Sequence, residues 1–107
     1  MKRRTEKNKK LVSEEVALGK RLFESRRKRS EISGNPLGYE YDHVFASHVL
    51  PKGAYPKFRL YHKNIVLMSF DEHRAWEHYR HTIKDRPEWG WVFQLQDLLR
   101  QEYYRDV

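Results

Sequence analysis

All six histidines of the chain lie within residues 41–81, and three polar side chains there stand where predicted elements begin or end. Histidine is the residue type whose ordinary pKa lies nearest neutrality, so it suits proton transfer and metal binding. His48 lies near the end of one apolar run, Asn64 comes just before the next, and His73 falls in the first turn of a predicted helix. We therefore interpret residues 41–81 as the functional part of the chain.

The elements around these side chains follow from apolar runs and turn residues. Residues 39–50 are rich in aromatic and β-branched side chains, which predicts a strand, and a loop containing proline and glycine separates them from a short buried strand at residues 65–68. The sequence SFDE that follows matches a capping box, so a helix is predicted to begin near Phe70. On this helix His73 and Glu77 are one turn apart and share a flank.

Helices are also predicted on both sides of this stretch. Ser13 is a suitable N-cap for a helix that extends to about Lys28, with Glu14 and Glu15 near the positive end of the helix dipole. Another helix is predicted over residues 88–104. Its apolar face comprises Val92, Leu95, Leu98, Leu99 and Tyr103. The predicted fold class is α+β, with a short antiparallel hairpin and a helix flanked by terminal helices.

Positive charge is concentrated at the start of the chain. Residues 1–30 contain twelve Lys or Arg against four Glu, whereas residues 31–107 contain ten against eleven acidic residues. Residues 1–12 carry few apolar side chains, so they are predicted to be a basic flexible arm, and residues 13–107 a single domain. Such a basic block is typical of a segment that binds the phosphates of nucleic acid.

The chain of 107 residues contains no cysteine, which excludes a disulfide framework and a thiolate zinc site. It also shows no secretory signal and no apolar run long enough to span a bilayer. We expect a soluble cytoplasmic protein without membrane association.

Residues 45–76 resemble a known family. The sequence SHVLPKGAYPKFRL followed by NIVLMSFDEHRAW resembles the HNH endonucleases, in a branch that shows a histidine, a Lys-Gly-x-Tyr-Pro loop, an asparagine opening an apolar strand, and a histidine on the next helix. The resemblance implies that residues 13–107 form an HNH-like domain with a ββα-metal core. In that core two antiparallel strands and a helix hold one divalent cation against the scissile phosphate.

The resemblance also implies a role for each of three residues. His48 is the expected general base, which takes a proton from the attacking water. Asn64 is expected to hold the His48 loop through hydrogen bonds, and His73 to be a metal ligand. The expected cofactor is Mg²⁺ or Mn²⁺, with Zn²⁺ or Ni²⁺ as alternatives. Cleavage of DNA is expected to leave a 5′ phosphate and a 3′ hydroxyl, and we expect a phage or another mobile element as the source.

The chain departs from the family pattern beside the general base. Many relatives place a metal-binding Asp, Glu or His immediately before that histidine, whereas this chain has Ser47, a poor ligand. Glu77 is the first choice to complete the metal shell because it lies one turn after His73, and Asp42 is a further candidate. Because an acidic residue followed by histidine is itself a form of the first HNH motif, His43 is an alternative general base.

A second departure concerns structural zinc. Relatives often bind a zinc ion through cysteines in the turn before the first strand and at the start of the helix. The matching positions here are Ser30, Ser33 and Ser69, and hydroxyl groups do not replace thiolates as zinc ligands. No structural zinc is expected, so other contacts must hold the turn at residues 30–38.

Basic side chains near these elements are predicted to contact the backbone of DNA. They are Arg26, Arg27, Lys28, Arg29, Lys52, Lys57, Arg59 and Lys63. The aromatic C-terminal helix is predicted to offer a surface to a protein partner or to a second copy of the chain. Two functions stay open: a small metal-dependent DNA endonuclease, and an inactive HNH-like module that binds nucleic acid or a protein partner. Ser47 and the absent cysteines favour the inactive module, whereas the three polar residues favour the endonuclease.

Overall fold

The first helix, α1, is longer than the sequence predicts. The structure, a computed structural model, describes residues 6–105. In it α1 spans Glu6–Ser25, so residues 6–12, predicted as part of a flexible arm, are helical, while residues 1–5 of that arm lie outside the described part. Lysine, glutamate and leucine are all good helix formers, and their run continues the helix upstream of the predicted N-cap Ser13 without any apolar face.

The buried apolar residues of α1 all lie in its second half. Leu18 and Leu22 are buried against Ile65, and no residue of the helix before Leu18 is buried. The approach of Tyr41 to this half depends on Gly19, because a Cβ there would lie 2.0 Å from the Tyr41 hydroxyl oxygen. Glycine at position 19 therefore leaves the space that the Tyr41 side chain occupies.

The chain reverses direction directly after α1. Arg27 and Lys28 have φ angles of 64° and 54°, in the left-handed region, and they end the helix three residues before the predicted end near Lys28. An isolated bridge between Arg29 and Pro36 then closes the turn. This reversal lays residues 29–36 beside the sheet.

The sheet consists of two short antiparallel strands. Strand β1 spans Ala46–His48 and strand β2 spans Ile65–Leu67, with Ser47 opposite Val66. The strand predicted over residues 39–50 is shorter in the structure, because a 3₁₀ turn precedes it. The N-cap of that turn is Asp42, whose carboxylate accepts a hydrogen bond from the Val44 amide at 3.1 Å.

The turn after α1 is attached to the outer edge of β2 by hydrogen bonds. The Glu31 amide donates to the Leu67 carbonyl oxygen at 2.9 Å, and the Leu67 amide donates to the Glu31 carboxylate at 2.9 Å. Arg26 donates to Glu31 at 2.7 Å and to the Ile65 carbonyl oxygen at 2.5 Å. These contacts satisfy main-chain groups that an edge strand would otherwise leave unpaired.

The turn is also attached to the next helix, α2, through Glu72. The Ser30 hydroxyl donates to Glu72 Oε1 at 2.5 Å, and the Ser69 amide donates to the same oxygen at 2.8 Å. The Ser30 oxygen in turn accepts from the amides of Ile32 and Ser33, both at 3.1 Å. One carboxylate therefore joins the turn at Ser30 to the start of the helix.

Three helices complete the fold. Helix α2 spans Phe70–His78, α3 spans Arg80–Ile83 and α4 spans Gly90–Arg105. The capping box that predicts α2 is confirmed, since Ser69 and Glu72 cap each other reciprocally. The backbone leaves the helical region at Tyr79 (φ −133°, ψ 41°), so the single helix predicted here is divided in two.

The main core lies between the sheet and the last helices. Its fully buried side chains include Val49, Leu50, Met68, Trp76, Val92 and Leu99. On α4, Leu98 is 62% exposed although the periodicity places it on the apolar face, and Gln96 is buried. The predicted α+β class with an antiparallel hairpin is confirmed. Within residues 6–105, no helix has both the length and the apolar character needed to cross a membrane.

Candidate active site

His48 ends strand β1 and is held by a main-chain carbonyl group. Its Nε2 lies 2.8 Å from the Arg59 carbonyl oxygen. Because a carbonyl oxygen only accepts, Nε2 carries a proton, and Nδ1 is the basic nitrogen of the neutral ring. Burial lowers the pKa of His48 below 6.5, although the Arg59 carbonyl group and the Glu15 carboxylate act in the opposite direction. The ring is therefore neutral at pH 7 and able to take up a proton.

Asn64 is fully buried and fixes the loop that follows His48. Its Oδ1 accepts from the Leu50 amide at 2.7 Å, and its Nδ2 donates to the carbonyl oxygens of Leu50 at 3.0 Å and Phe58 at 3.3 Å. Its own main-chain oxygen accepts from the Val49 amide at 2.8 Å. The start and the middle of the loop between the strands are thus bound to the side chain of Asn64 at its end.

His73 has both ring nitrogens in contact with oxygen atoms. Nδ1 lies 2.5 Å from the Val44 carbonyl oxygen, so Nδ1 carries a proton. Nε2 lies 2.7 Å from Glu77 Oε1, as the one-turn spacing predicts. This contact is favourable when Nε2 is also protonated, or when a cation takes the place of that proton. A ligating histidine commonly donates its other N–H to a carbonyl group, and His73 is arranged in this way.

The remaining predicted ligand, Asp42, is not brought to this pair. Its carboxylate caps the turn before β1 and lies 3.3 Å from Nδ1 of the neighbouring His43. Within residues 6–105 no three His, Asp or Glu side chains form a group that would hold a metal ion. The structure therefore brings together two of the three predicted ligands, His73 and Glu77.

Ser47 points away from the site. It is completely buried, and its hydroxyl oxygen has no hydrogen-bond partner among the described residues. Successive side chains of a strand point to opposite faces of the sheet, so the residue before His48 faces the core. Its position, in addition to its residue type, prevents it from serving as a ligand here.

A single cavity joins the two histidine positions. It has a volume of about 480 Å³, and its walls include His48, His73, Glu77 and the alternative base His43. The side chain of His43 is 82% exposed. Helix α1 forms the opposite wall with Val12, Glu15 and Val16, and Lys52 contributes a cation.

Glu15 is the residue that sequence reasoning missed. Its carboxylate accepts from Arg59 Nε at 2.8 Å and Nη2 at 3.3 Å, and from Lys52 Nζ at 3.1 Å. The sequence indicates Glu15 only as a partner of the helix dipole, and 44 positions separate it from Arg59. No local pattern predicts a contact of that range.

The predicted DNA-contacting side chains differ in exposure. Arg26 and Arg59 donate within the fold, and their side chains are 23% and 16% exposed. Arg26 has a structural role in these contacts, and its contact with DNA stays a prediction. Residues with exposed or partly exposed side chains are Arg27, Lys28, Arg29, Lys52, Lys57 and Lys63.

The aromatic residues of the helix predicted over residues 88–104 also differ in exposure. Trp89 is buried, and Tyr103 packs edge-on against Tyr55 with ring centroids 4.9 Å apart. Trp91 is 39% and Tyr104 is 61% exposed. The surface predicted for a partner is therefore smaller than the sequence suggests.

Comparison with known proteins gives no match: no family model, no curated protein and no solved structure is similar to this chain.

Proposed function

We propose that this chain is a small metal-dependent DNA endonuclease with an HNH-like ββα-metal core formed by β1, β2 and α2. The observation that supports this function best is the shared cavity of His48 and His73. In each ring a main-chain carbonyl group holds one nitrogen, and the other nitrogen is the reactive one. The first ring is suited to proton transfer and the second to metal binding.

In the proposed reaction His48 acts as the general base. Nδ1 of the neutral ring takes a proton from water as the water oxygen attacks phosphorus. The bond from phosphorus to the 3′ oxygen breaks, and this oxygen takes a proton from solvent water, which leaves a 5′ phosphate and a 3′ hydroxyl. Nε2 keeps its proton and its hydrogen bond to the Arg59 carbonyl oxygen throughout, so the ring keeps its orientation. Asn64 contributes by holding the loop that carries this carbonyl group.

The donor set fits a divalent cation bound by His73 and Glu77. One imidazole and one carboxylate suit Mn²⁺, Zn²⁺ or Ni²⁺, and Mg²⁺ commonly binds through one or two protein carboxylates while keeping several waters. A cation there supplies positive charge at the scissile phosphate and at the leaving 3′ oxygen. With these two protein ligands, a bound cation would also be able to contact the substrate phosphate and water.

The alternative function is an inactive HNH-like module that binds nucleic acid or a protein partner. The observation that favours it is the ligand count, since the described residues bring only two ligands together and Ser47 faces the core. The two functions differ in one measurable property, the cutting of a phosphodiester bond.

A plasmid-nicking assay with Mg²⁺ or Mn²⁺ distinguishes them. We expect the wild-type protein to nick DNA and His48→Ala to lower the rate by about two to four orders of magnitude, with folding and DNA affinity nearly intact. His73→Ala is expected to weaken Mn²⁺ binding in calorimetry as well, because a ligand acts on the metal itself.

His81→Ala is the matched control, because His81 is exposed and does not line the cavity of the site. It is expected to cut like the wild type. Nicking that survives in His48→Ala and is lost in His43→Ala would assign the base to His43. Absence of nicking with every common divalent cation, together with no metal bound at His73, would establish the inactive module.

A further inference from the structure

Two cations of the loop between the strands converge on one carboxylate of α1. Both oxygens of Glu15 accept hydrogen bonds, with Arg59 Nε at 2.8 Å and Nη2 at 3.3 Å, and Lys52 Nζ at 3.1 Å and 3.2 Å. The side chain of Glu15 is only 14% exposed. Burial acts to raise the pKa of Glu15, but the hydrogen bonds from Arg59 and Lys52 outweigh it, and the pKa is below 4.5. The carboxylate is therefore charged at neutral pH.

This ion cluster lies at the proposed active site. Glu15 and Lys52 line the same cavity as His48, and the main-chain oxygen of Arg59 holds the His48 ring. A guanidinium group that donates two hydrogen bonds, with an ammonium group beside it, binds a phosphate as readily as a carboxylate. The two oxygens of Glu15 thus occupy positions that two oxygens of a phosphate group would take between Lys52 and Arg59.

Apart from these ion pairs, few contacts attach the part of α1 that carries Glu15 to the rest of the protein. All the buried residues of the helix, Leu18, Gly19, Leu22 and Phe23, follow Glu15 in the chain. Val12 and Val16 beside Glu15 are half-buried and exposed, respectively. A phosphate that competes for Lys52 and Arg59 can therefore displace Glu15 while the packed half of the helix stays in place.

We propose that Lys52 and Arg59 form a phosphate-binding site beside His48, and that Glu15 occupies this site in the free protein in place of the phosphate. The proposal rests on the proposed function for the identity of the ligand, a phosphate group of the nucleic-acid backbone. In the free protein the carboxylate neutralises one of the two cations and opposes entry of an anion. Binding of nucleic acid exchanges the intramolecular carboxylate for a phosphate.

The test uses Glu15→Gln, which keeps the shape and the hydrogen-bonding oxygen of the side chain and removes its charge. Glu14→Gln is the matched control, because Glu14 is exposed on the same helix and the change in net charge is identical. Affinity for a short DNA duplex is measured in EDTA over a series of salt concentrations, so that no cutting intervenes. Thermal unfolding of each variant checks that the fold is retained.

We expect Glu15→Gln to bind about tenfold or more tightly than the wild type, because charged hydrogen bonds become available to the DNA. The slope of the logarithm of affinity against the logarithm of salt should differ by less than about one between the two proteins, because the same phosphate contact, which contributes about 0.9, forms in both complexes. Lys52→Ala should weaken binding in both backgrounds. The affinity gained by Glu15→Gln should be smaller when Lys52 is absent, because only one of the two cations then binds the phosphate. Glu14→Gln should bind like the wild type.

Two outcomes would overturn the proposal. If Glu15→Gln binds more weakly than Glu14→Gln, the carboxylate orients the cations for DNA and does not exclude it. If both variants gain affinity equally, only net charge is involved. Tighter binding by Glu15→Gln than by Glu14→Gln, without any nicking by the wild type, would retain the phosphate site and reject the endonuclease.

Discussion

The free energy of unfolding depends on pH through the protonation of the His48 imidazole. Burial lowers its pKa below 6.5 in the folded state, so the unfolded chain takes up this proton at a higher pH than the folded protein does. The contribution of His48 to stability is therefore complete above pH 6.5, and it is lost as the pH falls from 6.5 through the lowered pKa.

We predict that His48→Gln loses this part of the pH dependence. Glutamine donates a hydrogen bond to the Arg59 carbonyl group but does not titrate. The free energy of unfolding, measured by urea denaturation between pH 8 and 5, should fall less steeply than in the wild type, by up to about 1.4 kcal/mol per pH unit. Equal slopes in the two proteins would show that the His48 pKa is not lowered.

The hydrogen bonds of the buried Asn64 side chain contribute to the free energy of unfolding. We predict that Asn64→Ala destabilises the protein by about 2 to 6 kcal/mol, because the amide and carbonyl groups of Leu50 stay buried without partners. Asn35→Ala is the control, since Asn35 is exposed, and it should change stability by less than about 0.5 kcal/mol. Urea denaturation at pH 7 measures both. An Asn64→Ala protein as stable as the Asn35→Ala protein would refute the role of Asn64.

At the scale of the element, α1 depends on a glycine that helix propensity disfavours. Alanine is better than glycine in a helix by about 1 kcal/mol. At position 19, however, the added Cβ would lie 2.0 Å from the Tyr41 hydroxyl oxygen and 2.6 Å from Cζ. Overpacking of this kind costs about 1–3 kcal/mol, so it exceeds the gain in propensity.

We therefore predict that Gly19→Ala lowers the free energy of unfolding by up to about 2 kcal/mol. In a Tyr41→Ala background the clash is absent, and the same substitution should be stabilising by up to about 1 kcal/mol. Thermal or urea unfolding of the four proteins forms a double-mutant cycle. The idea would be wrong if Gly19→Ala had the same effect in both backgrounds.

Patterns of neighbouring residues correctly predict helices and strands in this chain. Contacts between residues that are far apart in the sequence are not predicted. The capping box needs only Ser69 and Glu72, three positions apart, and it correctly predicts the start of α2. The second role of Glu72, as acceptor for Ser30, depends on a contact across 42 positions. The order of His48, Asn64 and His73 likewise identifies candidates, but the carbonyl groups that fix each ring come from residues with no recognisable pattern.

At the scale of the whole molecule, the uneven charge predicts where nucleic acid binds. Residues 1–10 contain six Lys or Arg and one Glu, and none of the buried residues of α1. Deleting these ten residues therefore removes cations and leaves the packed half of the helix intact. Deleting residues 1–30 would also remove Leu18, Leu22 and Phe23 from the core, so the shorter deletion is the better experiment.

We predict that the intact protein loses about a thousandfold in DNA affinity between roughly 50 and 200 mM salt, as expected for about six phosphate contacts. The protein without residues 1–10 should bind more weakly at low salt and show a clearly shallower salt dependence. Fluorescence anisotropy with a labelled duplex measures both properties. Unchanged affinity after the deletion would remove the basic segment from the binding surface.

The indole of Trp76 lies next to the proposed site and contacts the main chain of His48. Its Nε1 donates to the His48 carbonyl oxygen at 3.3 Å, its ring is stacked on Trp89 with centroids 6.1 Å apart, and the Arg80 guanidinium lies 3.9 Å from its centroid. The protein thus has a built-in chromophore in contact with the strand that carries the candidate base. Trp91 is the partly exposed tryptophan, so replacing it with phenylalanine leaves fluorescence emission from the buried pair Trp76 and Trp89. Ligand binding or protonation at His48 can then be followed by intrinsic tryptophan fluorescence without a label.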